Sequence, residues 1–429
     1  MRYEPVPNSL FSRNRERLRE LLKPNSIVVL HSNDVMPTNA DGVHPFKQNS
    51  DLIHLTGIDQ EESILVLYPD AQKEEMREIL FVRETNDHIA IWEGHKLTKK
   101  QATVLSGISN VQWTNNFYTI LHTLVQQADT IYLSTNEHLR SDTSVETRND
   151  RFIKKCKTSY PLHHYERLAP LMHQLRVVKQ DEEIEVMQKA CEITESGFRR
   201  ALDMIAPGVG EWEVEAEFIH EFIKNKSRGF AYTPIIGGGS SNCVLHYLEN
   251  NQVLKDGDLV LMDVAAEYGN WNSDMTRTVP VNGKFTPRQR AVYDAVLRVM
   301  RQACKILRPG ITLADYQNHV LEMMEHELIE LGLFTEKEAK QQGANKPLVR
   351  KYFMHGTSHH IGLDVHDVAP PNSPIQVGNV LTIEPGIYIP EENIGIRLEN
   401  DFVIGEIENF DLMRNIPIEA EEIEALMAK

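Results

Sequence analysis

The sequence predicts a mixed protein of two domains, an α/β domain first and then a larger α+β domain with an internal pseudo-twofold duplication. Three observations carry this. Short apolar runs alternate with helical spacing over the first 160 or so residues, a new regime begins near Glu182, and one pattern inside it occurs twice. At ~150 residues per domain, a chain of 429 residues has room for two or three buried cores.

The first domain, residues 1–165, has apolar runs at 26–31 (SIVVLH), 63–68 (SILVLY), 78–82 (EILFV) and 130–133 (TIYL). Their length and β-branched content are those of buried strands. Residues 13–22 and 117–127 read as helices, and the polar, irregular stretch 160–169 reads as a linker. The second domain spans 176–429. From Glu182, the positions Ile184, Met187, Cys191, Thr194, Phe198, Ala201 and Ile205 step by three and four, as one buried helix face does. Pro207-Gly208 ends that helix. A second helix is expected over 212–224, with strands around Thr233 and Asn242.

The duplication follows. Helix, Ala206-Pro207-Gly208-Val209, helix is echoed by a helix over 288–307, then Arg308-Pro309-Gly310-Ile311, then a helix over 314–331. Each copy continues into a strand opened by glycine. Gly257 leads through Leu259-Val260-Leu261-Met262 to Asp263, and Gly378 leads through Val380-Leu381-Thr382-Ile383 to Glu384.

Each strand returns as a hairpin holding a second acid. Opposed residues in an antiparallel pair have numbers of constant sum, so Asp263 facing Asp274 centres the first turn between Tyr268 and Gly269. Glu384 facing Glu399 centres the second between Glu391 and Glu392. Four carboxylates in apolar strands repel one another and are costly to bury without neutralising charge. Divalent cations supply it. Residues 355–366 add His355, His359, His360 and His366, and imidazole with several carboxylates suits manganese, iron, cobalt or zinc. Spacing alone does not choose between His359 and His360 as a ligand.

Composition narrows the alternatives. Lys plus Arg count 45 and Asp plus Glu 62, a net charge of −17 that disfavours nucleic acid and membrane partners. No run approaches the ~20 apolar residues of a spanning helix. The four cysteines are far apart, so reduced core thiols in a cytoplasmic protein are expected. Gly237-Gly238-Gly239 lacks the lysine of a phosphate-binding loop, and no H-E-x-x-H or G-x-S-x-G pattern occurs.

His246 in Val244-Leu245-His246-Tyr247, Ser273-Asp274-Met275-Thr276-Arg277-Thr278, His355-Gly356-x-x-His359 with Val365-His366-Asp367, Thr382-Ile383-Glu384-Pro385-Gly386-Ile387-Tyr388 and Ile396-Arg397-Leu398-Glu399-Asn400-Asp401 resemble the pita-bread metallopeptidases. Within them the chain resembles the Xaa-Pro aminopeptidases (aminopeptidase P). The resemblance implies a pita-bread (creatinase/aminopeptidase-like) catalytic domain that releases the residue before a proline in second position. It implies five ligands, Asp263, Asp274, His359, Glu384 and Glu399, for two divalent ions, Mn2+ above others, with a metal-bridging hydroxide attacking and Glu384 handling its proton. His246 and His366 would bind substrate and the tetrahedral intermediate, His355 would line the proline pocket, and Arg397 would orient its neighbours, with Tyr388 beside them.

In the first half, Asn39-Ala40-Asp41, Gln48-Asn49-Ser50-Asp51 and Leu55-Thr56-Gly57 look like the aminopeptidase P N-terminal domain rather than that of prolidases. Asp41 is a candidate for the substrate ammonium or else a turn residue. Trp92 resembles a residue that completes a neighbouring subunit's site, which would make the protein a dimer or tetramer, or else it belongs to the core. Prolidase, which cuts only dipeptides, is the alternative enzyme, and a metal-free binding module the alternative class.

Overall fold

Period-two burial turns the apolar runs of the N-terminal part into one sheet covered on both faces. The computed structural model describes residues 3–142 and 144–428, and the chain divides into two units at Arg176 and Val177.

In the first unit α1 (Asn8–Leu21), β1 (Ser26–His31), α2 (Ser50–Thr56), β2 (Ile64–Leu67), β3 (Glu78–Val82), α3 (Asp87–Glu93) and α4 (Lys99–Ser106) come first. They are followed by β4 (Val111–Trp113), α5 (Phe117–Val125), β5 (Thr130–Leu133), α6 (Arg148–Ser159), β6 (His164–Arg167) and α7 (Ala169–Arg176). The sheet order is β4-β3-β2-β1-β5-β6, with β2 antiparallel to both neighbours and the other pairs parallel. Val28 and Leu30 join Leu18, Leu52 and Met172 on one face, and Ile27 and Val29 join Leu121, Leu124 and Phe152 on the other. The expected linker at 160–169 is corrected: it contains β6, and α7 follows within the same unit. β6 is an edge strand with His164 and Arg167 exposed, so it lacks the apolar signature of its neighbours.

The second unit opens with α8 (Asp181–Met204) and α9 (Glu211–Lys224), then β7 (Ile235–Gly238), β8 (Leu259–Asp263), β9 (Glu267–Tyr268), β10 (Trp271–Asn272) and β11 (Thr276–Pro280). Next come α10 (Pro287–Ile306), α11 (Leu313–Glu330), α12 (Glu336–Gln341) and α13 (Pro347–Tyr352). β12 (Val380–Ile383), β13 (Gly386–Ile389), β14 (Ile394–Arg397), β15 (Asn400–Val403), β16 (Phe410–Asp411) and α14 (Ala420–Met427) complete it. One strand, β7, replaces the two expected around Thr233 and Asn242, and Asn242 lies in a 3₁₀ turn. A Cβ at Gly237 would stand 3.0 Å from the Ser241 carbonyl, so glycine lets the chain fold back at once.

The two halves repeat in their hydrogen bonds. Gly208 N–H donates to Leu254 O at 2.8 Å, and Leu254 N–H returns to Val209 O; Gly310 N–H donates to Ile375 O at 2.9 Å, and Ile375 N–H returns to Ile311 O. Gly257 and Gly378, which open the paired strands, have φ of 84° and 83°. That left-handed conformation strains any residue with a Cβ, so the duplicated glycines are a backbone requirement. Sheets β11-β8-β7 and β12-β15-β16 are the outcome.

Candidate metal centre

Register brings the acids together. β12 with β15 and β13 with β14 keep one register, Ile383 facing Asn400 and Gly386 facing Arg397, which sets Glu384 opposite Glu399 as the sequence predicts. The first hairpin differs: Asp263 faces Thr276, not Asp274. Its turn centres one residue later, on Gly269 and Asn270, with φ of 63° and 79°. Two successive positive φ values make the turn that matches strand twist. The slip of two residues preserves sheet parity, so Asp274 keeps the face assigned to it. A bridge between Thr276 and Glu399, with Glu399 N–H donating to Thr276 O at 3.1 Å, joins the hairpins. Asp263, Thr276, Glu399 and Glu384 therefore lie across four successive segments.

His359 completes the cluster. Its Nδ1 lies 3.0 Å from the His360 carbonyl, which can only accept, so Nδ1 carries the proton. Nε2 then faces Asp274 Oδ2 at 3.4 Å and Glu384 Oε1 at 3.7 Å. Donor atoms of Asp274, His359 and Glu399 lie within 4.8 Å of one another. His360, which spacing could not separate from His359, is buried and bridges Leu381 instead.

Two of the carboxylates, and the backbone of a third acid, are held by neighbours. Tyr232 donates to Asp263 Oδ1 at 2.5 Å and Arg397 Nη2 to Asp263 Oδ2 at 2.6 Å. Thr276 Oγ1 donates to Glu399 at 2.7 Å, and the Asp274 amide donates to Asp401 at 2.9 Å. Tyr232, Thr276 and Asp401 received no role from sequence reasoning. Thr276 and Asp401 stand inside quoted motifs, while Tyr232 has no signal beyond its place before β7. Arg397 Nη1 donates to the Tyr388 hydroxyl at 2.8 Å, which lies 2.8 Å from His355 Nε2. His355 Nδ1 donates to the Gly356 carbonyl at 2.8 Å. Burial, with Arg397 nearby, lowers the His355 pKa to about 3, so Nε2 accepts and the order of donation is Arg397, Tyr388, His355.

The electrostatics fit hard divalent cations. Burial and then the neighbouring acids push Glu399 well above the usual carboxylate range. Burial also raises Asp263 against the opposing pull of Arg397, and raises Glu384 to about 7 against that of His359. Burial works against a charged His359, but the hydrogen bond to Asp274 and the acids outweigh it and raise it to about 9. Burial among like charges thus favours protonated acids beside a charged His359, a balance that a divalent cation would reverse, and no thiolate stands among these side chains.

The remaining candidates are apart from these contacts or at their edge. His246 and His366 are exposed, and the His366 ring centroid is 4.4 Å from that of His359. Asp41 is exposed in a turn closed by Thr38 N–H donating to Gly42 O at 2.9 Å. Trp92 is 77 % exposed on α3, which removes the core alternative.

Comparison with known proteins agrees with this architecture. Residues 185–406 match Metallopeptidase family M24, and residues 11–132 match the aminopeptidase P N-terminal domain. The chain is 35 % identical to Xaa-Pro aminopeptidase of Escherichia coli over 97 % of both chains. It is 31 % identical to human Xaa-Pro aminopeptidase 3, covering 94 % of this chain and 81 % of that one. The structure of Escherichia coli aminopeptidase P in complex with substrate superposes with a TM-score of 0.86 at 32 % identity, covering 99 % of each chain.

Proposed function

The chain belongs to metallopeptidase family M24, with an aminopeptidase P N-terminal domain before the catalytic one, and from that premise we propose how its site works. The protein is a Xaa-Pro aminopeptidase, hydrolysing the bond between the first residue of a peptide and a proline in second position. Asp263, Asp274, His359, Glu384 and Glu399 would hold two divalent ions, manganese in the working enzyme. When bound, the ions would supply charge that offsets the clustered acids and Lewis acidity to activate a water and polarise the scissile carbonyl.

The chain's own side chains do the rest. Glu384, 19 % exposed against 7 % for Asp274, reaches toward solvent and is the group to take the water's proton and pass it to the departing proline nitrogen. The exposed His246 and His366 offer ring donors to the carbonyl oxygen as charge develops there. His355, held neutral between Gly356 and Tyr388, lines the wall for the proline ring. Arg397 is a positioning residue, tying Asp263 to Tyr388. Proline's tertiary amide has no N–H, so a ring-shaped apolar wall, not a backbone acceptor, selects it.

Unpaired cysteines support a reducing, cytoplasmic setting, and no helix among the described residues is long and apolar enough to cross a membrane. Exposed Ile91 and Trp92 on α3 support a homo-oligomer, a dimer or tetramer. The observation that carries the reading is the continuous register placing Glu384 opposite Glu399 and bridging Glu399 to Thr276. Manganese-loaded protein is expected to cut Xaa-Pro-Xaa peptides of increasing length and to spare Xaa-Ala peptides. Equal cleavage of Xaa-Ala peptides, or cleavage of Xaa-Pro dipeptides alone, overturns the specificity; Asp274→Ala retaining full metal and activity overturns the site.

A further inference from the structure

We propose that the first unit carries a binding site for a small organic anion with an apolar body, seated in a cavity at one edge of its sheet. The cavity has a volume of about 330 Å³, at the lower end of small-molecule sites. His31, the last residue of β1, Thr114, just past the end of β4, and Ile64, which begins the oppositely running β2, all line it. It therefore opens at the carboxyl edge of the parallel strands, where open α/β sheets bind ligands.

Its chemistry is that of an anion site. Arg148, Arg151, Phe152 and Lys155 line it from α6, at spacings of three, four and seven that put all four on one helix face. Asp34 holds Arg151 at 2.5 Å and lies 3.6 Å from Arg148, and among the described residues Glu62 is the one acid in the wall, so positive charge remains in excess. Lys155 has no carboxylate partner within salt-bridge distance among the described residues, and its ammonium stands 3.3 Å over the Tyr118 ring. This concentration of cations occurs in a chain of net charge −17.

His31 is the second, independent sign. Its residue is 4 % exposed, its ring lies against Phe152 and Phe117 with centroids 4.3 and 5.5 Å away, and its Nδ1 has no hydrogen-bond partner among the described residues. A buried polar atom left unpaired opposes folding, and a ligand polar group in this cavity would pair it. Burial, with Arg148 nearby, holds its pKa to about 3, so the ring is neutral. The occupant thus sets its acidic group against Lys155 and Arg148 and its apolar body against Phe117, Phe152 and Ile64.

The test uses the full chain loaded with manganese and three probes: phenyl phosphate, inorganic phosphate and neutral benzyl alcohol. Because a phosphate can also meet a metal, occupancy is read from the imidazole nitrogen resonances of His31 alongside calorimetry. Phenyl phosphate is expected to shift those resonances saturably, with both other probes at least about tenfold weaker, a difference of about 1.4 kcal/mol. Lys155→Met, at an exposed position, is expected to weaken phenyl phosphate at least about tenfold while Xaa-Pro hydrolysis stays unchanged. No saturable His31 shift, equal binding to Lys155→Met, or equal binding of benzyl alcohol overturns the anion site. Equal binding of inorganic phosphate overturns the apolar body. Unchanged hydrolysis with or without these losses keeps this inference separate from the catalytic assignment.

Discussion

Thr276 sets one hydroxyl between two charges, donating to Glu399 at 2.7 Å and accepting from Arg397 Nε at 3.1 Å. Thr276→Val keeps the β-branched shape and removes both bonds, and groups that orient metal ligands commonly contribute about 10–100-fold in affinity. The expected outcome is a manganese affinity lower by that factor in isothermal titration, with the circular dichroism spectrum unchanged. Tyr388→Phe separates a different function. The hydroxyl accepts from Arg397 and donates to His355, so its loss leaves the His355 ring held by Gly356 alone. We expect kcat to fall about tenfold, equivalent to about 1.4 kcal/mol of barrier, with metal content intact; a loss of bound manganese instead would show that Tyr388 acts through Asp263. The five proposed acid and imidazole donors can be named from sequence because each stands in a local motif, and the structure groups Asp274, His359 and Glu399 of them. Tyr232 and Asp401 cannot be, because their partners, Asp263 and Asp274, are 31 and 127 residues away and only the packed fold pairs them.

At the scale of elements, the strands that were read with the right bounds are those buried on both faces: β1, β3 and β5 are continuous apolar runs, and sequence resolves such runs well. β6 failed because an edge strand need not be apolar, and β7 failed because glycine carries no side chain from which to read a pattern. Turn chemistry explains the two hairpins. The second turn lies where Glu391 and Glu392 predict, whereas the first is displaced by one residue because Asn270, like Gly269, adopts positive φ. One close approach was invisible beforehand. On β14, a Cβ at Gly395 would stand 2.1 Å from the carbonyl oxygen of Asn242, a backbone atom that cannot swing aside. Gly395→Ala is therefore expected to destabilise the second unit by about 1–3 kcal/mol, the usual cost of overpacking, seen as a lower urea midpoint. Because β14 ends at Arg397, manganese affinity should fall with it. A variant as stable as the parent would mean that the Gly239–Cys243 turn yields to β14.

The whole molecule divides its chemistry between its units, and that division predicts how it responds to solution conditions. Every proposed metal donor, from Asp263 to Glu399, lies in the second unit, beyond Val177. Ligand binding stabilises only the folded state that binds, so chelation should lower the unfolding midpoint of the second unit, by about 2.7 kcal/mol where manganese had stood at a hundred times its dissociation constant. The first unit, which holds none of these donors, has a sensitivity to acid. His31 is buried there beside Arg148, and burial first, then that charge, lowers its pKa to about 3 from the 6.5 it has when exposed. Between those values the unfolded chain binds a proton that the folded chain refuses, so the stability slope with pH is positive. Stability from this group is complete above pH ~6.5 and is lost as the pH falls toward 3, by up to about 1.4 kcal/mol per unit, or about 2 kcal/mol by pH 5. Two unfolding transitions are thus expected: EDTA at neutral pH moves that of the second unit, whereas mild acid moves both, because His355 in the second unit is also held to about 3. His31→Phe, which keeps an aromatic ring against Phe117 and Phe152, should flatten the acid dependence of the first while leaving the EDTA shift of the second. If both transitions moved together under EDTA, the units would be unfolding as one, and His31 could be assigned only to the stability of the chain as a whole.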